Sequence, residues 1–122
     1  MSTKTPRDFF KPLAIGAPAP MRDLPVRLER MIHFVPPHLD KVRAKVPSMA
    51  EGVDVMLANL EDAIPADAKD AARAGAIEMA SMYDWQGKGT GFWSRVNPLN
   101  SPWFQEDVSD LVLKAGHQLD VI

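Results

Sequence analysis

Short apolar segments alternate with helical patterns through residues 31–122, and this order most restricts the folds that the chain can adopt. Strands are predicted at residues 31–37, 53–60 and 92–97, and residues 119–122 begin a fourth. A helical pattern separates each strand from the next. The order β-α-β-α-β-α-β is typical of parallel strands joined by crossover helices. We therefore expect an α/β fold, either an open doubly wound sheet or a closed (β/α)₈ barrel.

Prolines and a serine set the predicted bounds of the helices. The first helix, residues 38–52, is kinked or ended by Pro47, because proline cannot donate a backbone hydrogen bond. The second begins near Pro65, and the third has Ser101 as its N-cap. Residues 86–91 are predicted to form a loop. The buried faces of the last two helices are predicted to be Ala72, Ala76, Met79, Ala80 and Tyr83 on one, and Val108, Leu111, Val112 and Ala115 on the other.

The first 30 residues differ from the rest of the chain, since they hold five of its 11 prolines. Proline fixes φ and removes a backbone donor, so we expect an extended arm rather than a helix or a central strand. A frayed terminus is the alternative. We assign residues 1–30 to this arm and residues 31–122 to three βα units and the start of a fourth strand.

Length and the position of the last strand favour the barrel over the open sheet. A (β/α)₈ barrel needs about 250 residues, whereas the chain has 122 and stops within an apolar strand. The first predicted strand is not followed by the glycine-rich G-x-G-x-x-G turn of dinucleotide-binding sheets. We therefore expect the N-terminal portion of a longer TIM barrel.

Composition excludes several kinds of partner. A net charge of −2 argues against nucleic-acid binding, which needs clustered basic residues. The chain has no cysteine, so it has neither disulfides nor cysteine-bound metal. No stretch reaches the roughly 18 apolar residues of a membrane span. We expect a cytoplasmic protein.

Charged residues follow two predicted strands at the point where each ends. Glu61 and Asp62 come directly after residues 53–60, and Arg95 lies within residues 92–97. Barrel enzymes take functional groups from the C-terminal ends of their strands. We expect Glu61 to pair with Arg95, which strand alternation places on one face with Trp93 and Asn97. Asp62 is expected to face away unless the chain turns, and its alternative role is to cap the following helix.

Four ordered motifs carry a resemblance to a known family: "HFVPP", "LEDAIPADAKDAAR", "RVNPLNSPW" and "LDVI". The chain resembles the malyl-CoA lyases of the citrate lyase β-subunit-like family, within the HpcH/HpaI aldolase superfamily. Its N-terminal segment looks closest to the branch acting on malyl-CoA, β-methylmalyl-CoA and citramalyl-CoA. The resemblance covers essentially the whole chain but only the first part of the family's barrel.

The resemblance implies a lyase that depends on Mg²⁺ (or Mn²⁺) and cleaves a 3-hydroxyacyl-CoA such as malyl-CoA to acetyl-CoA and glyoxylate. It implies that Arg95 contacts the α-keto acid. The position of Glu61 at the end of a strand predicts that Glu61 serves in catalysis. The metal ligands are expected beyond Ile122, with Glu61 and Asp62 holding metal-bound waters. The isolated chain is therefore expected to be inactive, and the full-length protein to form trimers or hexamers.

The chain departs from the family pattern at two places. Asn59 replaces the first acid of the usual "DLEDAV", which lowers the negative charge near the metal. After the first strand, "PPHLDK" replaces a glycine-rich "PGSR" whose arginine helps bind CoA. We predict Phe34, Lys41 and Arg43 as substrate-binding residues instead. For the basic residues, a solvated helix face is the alternative.

Two other functions stay open on the sequence alone. A malyl-CoA thioesterase would use the same scaffold to hydrolyse the thioester. A non-catalytic CoA-binding or assembly module would dock the chain on a partner without chemistry.

Overall fold

The structure is a computed structural model that describes residues 26–122. It contains a parallel sheet of three strands in the order β1-β2-β3: β1 is Ile32–Val35, β2 is Val55–Asn59 and β3 is Gly91–Arg95. The predicted strands are therefore confirmed, with shorter bounds. Residues 1–25 of the predicted N-terminal arm lie outside the described part, so the arm stays a prediction.

The predicted fourth strand begins beside β3. Val121 forms a parallel bridge with Trp93, and the Ser94 amide donates to the Val121 carbonyl at 3.0 Å. Each strand thus lies next to the one before it in sequence, with helices in the connections. This mixed α/β arrangement is that of the first βα units of a (β/α)₈ barrel.

Helices connect the strands. They are α1 (Asp40–Arg43), α2 (Val46–Ala50), a 3₁₀ turn (Ala66–Ala68), α3 (Lys69–Ser81), α4 (Trp85–Lys88) and α5 (Phe104–Ala115). Pro47 separates α1 from α2 and lies in the first turn of α2, where its missing amide donor costs nothing. The predicted break in the first helix is therefore confirmed.

The two faces of the sheet have different surroundings. One face packs against the helices, where Trp85 stacks on Phe92 at 4.7 Å and donates its indole N–H to the Met79 carbonyl at 3.0 Å. The other face, called here the open sheet face, carries Ile32, Phe34, Leu57 and Trp93, of which Phe34 is 53% exposed. In a complete barrel this face would line the interior.

One predicted loop was wrong, because the segment before β3 contains the short helix α4. The Asp84 carboxylate accepts a hydrogen bond from the Gly87 amide at 3.1 Å and so caps this helix. Gly89 ends it with a φ of 74°, a conformation that favours glycine. Burial of Trp85 supplies the stability that the local sequence does not reveal.

Two details of the last helix were also wrong. It begins at Phe104 with Trp103 as its N-cap residue, so Ser101 does not cap it. Ser101 instead lies in a turn and donates its amide to the Pro98 carbonyl at 2.8 Å. Val112 is 54% exposed, because the buried face of α5 follows Asp107, Leu111 and Ala115.

Candidate functional site

The C-terminal ends of β2 and β3 bring three predicted site residues together. The Arg95 Nη2 lies 2.9 Å from the Glu61 Oε2, and its Nη1 lies 3.4 Å from the Asp62 Oδ2. The expected pairing of Glu61 with Arg95 is thus present. Asp62 does not face away, because β2 ends at Asn59 and the chain turns.

This turn, residues 60–62, is called here the acidic turn. The Asn59 Nδ2 donates to the Asp62 Oδ1 at 2.8 Å, and the Asn59 Oδ1 accepts from the Glu61 amide at 3.0 Å. The hydrogen bond from Asn59, followed by the charge of Arg95, holds the pKa of the Asp62 carboxyl below its usual range. Asp62 does not cap the 3₁₀ turn after Pro65, so that alternative was wrong.

Glu61 has spare acceptor capacity at the site. Its Oε2 is buried and lies 2.9 Å from the Arg95 Nη2, although the two groups are not aligned as a hydrogen bond. A carboxylate oxygen has two lone pairs, so this ion pair leaves room for a further donor. Glu61 therefore has the capacity to accept a hydrogen bond from a bound molecule.

Arg95 is also available to a ligand, since its side chain is 48% exposed. A guanidinium has five N–H donors, so its contacts with two acids leave others free. The prediction that Asn97 shares the face of Arg95 was wrong, because β3 ends at Arg95. Asn97 is buried instead, and its Nδ2 donates to the Asp107 Oδ2 at 2.6 Å.

The three predicted CoA-binding residues lie in β1 or shortly after it, and they differ in how many contacts they make within the chain. Phe34 is on the open sheet face, and Lys41 is exposed on α1. Arg43 donates to the Pro37 carbonyl at 2.6 Å and lies 3.0 Å from the Glu78 carboxylate. These contacts tie the loop after β1 to α3. The role of all three in CoA binding stays a prediction, and the contacts of Arg43 favour a structural role.

Two residues near the site were missed. Lys69, at the start of α3, donates to the carbonyls of Leu60 and Glu61 at 3.0 and 2.6 Å. Arg73 joins α3 to Asp107 of α5 at 2.9 Å. Both occur in the "LEDAIPADAKDAAR" segment, but only the fold shows that these charged side chains point inward.

Within residues 26–122, no three His, Cys, Asp or Glu side chains are grouped so that they could hold a metal ion. None of the helices in that range has the length and hydropathy needed to span a bilayer.

Comparison with known proteins agrees with this arrangement. Residues 30–122 match the family described as HpcH/HpaI aldolase/citrate lyase. The chain therefore belongs to the HpcH/HpaI aldolase/citrate lyase family, as its motifs indicated. The parallel βα units of this chain, with charged groups at the strand ends, are the arrangement of (β/α)₈ barrel enzymes.

Among curated relatives, the chain is similar to a malyl-CoA/β-methylmalyl-CoA/citramalyl-CoA lyase of Chloroflexus aurantiacus, with 55% identity over 98% of this chain. It is 40% identical, over 60% of its length, to an L-malyl-CoA/β-methylmalyl-CoA lyase of Cereibacter sphaeroides. A citrate lyase subunit beta-like protein of Deinococcus radiodurans is 37% identical over 71% of the chain. The chain spans 34%, 22% and 31% of these relatives, respectively.

Proposed function

We propose that this chain is the front part of a carbon–carbon lyase that cleaves a 3-hydroxyacyl-CoA, such as malyl-CoA, to acetyl-CoA and glyoxylate. The half-exposed guanidinium of Arg95, beside Glu61 and Asp62 at neighbouring strand ends, carries the proposal. Family membership and the name of the Chloroflexus relative support the substrate class.

The reaction needs groups that stabilise negative charge on both fragments, the glyoxylate and the enolate. As the C–C bond breaks, the hydroxyl carbon becomes the aldehyde of glyoxylate and its hydroxyl proton leaves. The bonding electron pair passes to the thioester fragment as an enolate, which gains a proton to give acetyl-CoA. The free N–H groups of Arg95 would grip the glyoxylate carboxylate and orient the scissile bond. Glu61 and Asp62 would keep the guanidinium in place for this task.

The described residues do not fit a complete metal site. They offer two carboxylates at the site, both in contact with Arg95, and no larger cluster within residues 26–122. The spare acceptor capacity of the Glu61 carboxylate fits a group that accepts a hydrogen bond from metal-bound water. We propose that Mg²⁺ takes its direct ligands from other residues of the longer enzyme. When bound, it would stabilise negative charge on the reacting oxygens.

Joining this chain to the part of the Chloroflexus relative that follows the matched region tests the proposed reaction. We expect the fusion protein to release glyoxylate and acetyl-CoA from malyl-CoA, and the 122-residue chain alone to release neither. Free CoA with malate would indicate the thioesterase. A correctly folded fusion without turnover would contradict both enzymes and favour a binding module.

Arg95→Lys in the fusion tests the assigned role directly. Lysine keeps the charge but loses the two-pronged geometry. We expect the condensation of acetyl-CoA with glyoxylate to lose roughly 1.5 to 3 kcal/mol of transition-state stabilisation, or about 10- to 150-fold in kcat/KM for glyoxylate. Acetyl-CoA binding should stay nearly unchanged. Unchanged glyoxylate kinetics in a variant of normal stability would rule out the role.

We further propose that the longer enzyme is cytoplasmic, as the composition of the chain indicates, and homo-oligomeric, as the family resemblance implies. Size-exclusion chromatography of the fusion with light scattering measures the assembly. A monomer with full activity would contradict it.

A further inference from the structure

Two adjacent carboxylates, of Glu61 and Asp62, face the guanidinium of Arg95. Like charges repel, and an exposed turn would point its acids to water. Residues 60–62 nevertheless hold both acids against Arg95. The groups that bind the acidic turn, together with the charge of Arg95, hold the two acids in this position.

Asn59 contacts the acidic turn from the strand side. It is 4% exposed, and its amide both accepts from the Glu61 N–H and donates to the Asp62 carboxylate. An aspartate here could accept the first hydrogen bond but could not donate the second. The asparagine is thus the chemical feature that draws Asp62 toward Arg95.

Lys69 contacts the acidic turn from the helix side. Its ammonium donates to the carbonyls of Leu60 and Glu61 and lies 5.3 Å from the centre of the Trp103 ring. The residue is 7% exposed, and no salt bridge links it to a carboxylate of the described chain. A buried charge without an ion partner is costly, so its position calls for a reason.

We propose that Asn59 and Lys69 are positioning residues that fix the acidic turn, so that Glu61 and Asp62 orient Arg95 for an α-keto acid carboxylate. Asn59 sets the direction of the Asp62 side chain, and Lys69 fixes the two peptide carbonyls that precede it. Neither residue needs to touch the substrate. The assignment deepens the proposed function and rests on it for the identity of the substrate.

The first test needs no activity. In the 122-residue chain, Asn59→Leu and Lys69→Met should each raise the pKa of the Asp62 carboxyl, followed by NMR titration of its carbon. Asn100→Leu is the matched loss of an exposed asparagine. Lys88→Met is the matched loss of an exposed lysine. Both controls should leave Asp62 unchanged, and an unchanged Asp62 in both test variants would overturn the proposal.

The second test uses the fusion protein. Each test variant should lower kcat/KM for glyoxylate by about 10- to 100-fold, the usual effect of losing a supporting hydrogen bond at a site. KM for acetyl-CoA should stay within about twofold in each test variant. A merely structural role would lower the melting temperature and impair both substrates alike, which would overturn the proposal. An inactive wild-type fusion would refute the proposed function instead and leave the titration of Asp62 to decide the positioning roles.

Discussion

Arg73 and Arg95 both meet carboxylates from a neighbouring element, yet their surroundings differ. Arg73 lies on α3, where its side chain packs against α5 and is only 7% exposed. Arg95 lies at the rim of the sheet with 48% exposure. Enclosed ion pairs are strongly coupled to the fold, whereas exposed pairs add little to stability and stay available to ligands. The two clusters therefore separate a structural from a functional use of the same chemistry.

Arg73 is surrounded by more carboxylates than Arg95. Its Nε lies 2.9 Å from the Asp107 Oδ1, and Nη1 lies 3.1 Å from the Glu106 Oε2. Burial alone would lower the pKa of Arg73, but the hydrogen bond and charge of Asp107, with Asp70 and Glu106, raise it above its usual value. Asp107 also accepts from the Asn97 backbone and side chain, which fixes the chain just after β3.

Removal of the buried arginine should have the largest effect on stability. Arg73→Met leaves the fully buried Asp107 without its cation, so we expect a loss of about 3 to 5 kcal/mol in the free energy of unfolding. Urea unfolding of the chain measures it. Lys114→Met is the control, because Lys114 pairs with Asp110 at the surface and should matter by less than about 1 kcal/mol. Equal losses of stability in the two variants would contradict the difference between the buried and the exposed ion pair.

Asp107→Asn should have an intermediate effect. The amide keeps one acceptor oxygen for Asn97 or Arg73 but loses the charge, so we expect a loss of about 1 to 3 kcal/mol. The same urea experiment measures this loss. A loss as large as that of Arg73→Met would mean that the charge of Asp107, not the packing of Arg73, dominates the cluster.

The contrast also shows what the sequence could predict. β2 was predicted because residues 55–58 form a continuous apolar run, which is typical of a strand buried on both faces, and all of Val55–Asn59 is buried. Glu61 and Arg95 were placed together because neighbouring parallel strands end at the same edge of a sheet. These inferences need only local pattern and the general geometry of barrels.

The rest depends on contacts between distant residues. The helix α4 is stabilised by the packing of Trp85 on Phe92, which no local propensity reveals. Lys69 and Arg73 look like solvated helix residues in the sequence, yet both point into the protein. The side on which Asp62 lies was left to whether the chain turns after β2, and the turn depends on the contacts of Asn59 with Glu61 and Asp62.

Loss of the exposed arginine should affect stability little. Arg95→Gln removes two ion pairs whose partners are partly solvated, so we expect a change within about 1 kcal/mol. The same variant in the fusion should lose most of its condensation activity with glyoxylate. The variant would then lose activity while its stability against urea stays nearly the same. A loss of stability comparable to that of Arg73→Met would mean that Arg95 mainly stabilises the fold.

The smallest effect concerns Asp62, whose carboxyl pKa in the folded chain is lowered first by Asn59 and then by Arg95. A lowered folded pKa means that ionised Asp62 stabilises the fold at any pH above its unfolded pKa of about 3.9. That contribution is lost as the pH falls through the lower folded value. We therefore expect the difference in urea midpoint between the wild type and Asp62→Asn to be constant from pH 7 to pH 5, and to shrink below about pH 3.9. Because the side chain is largely exposed, the difference should be small at every pH. A difference that grew on acidification would mean that the folded chain favours protonated Asp62, which is incompatible with an acid held against Arg95.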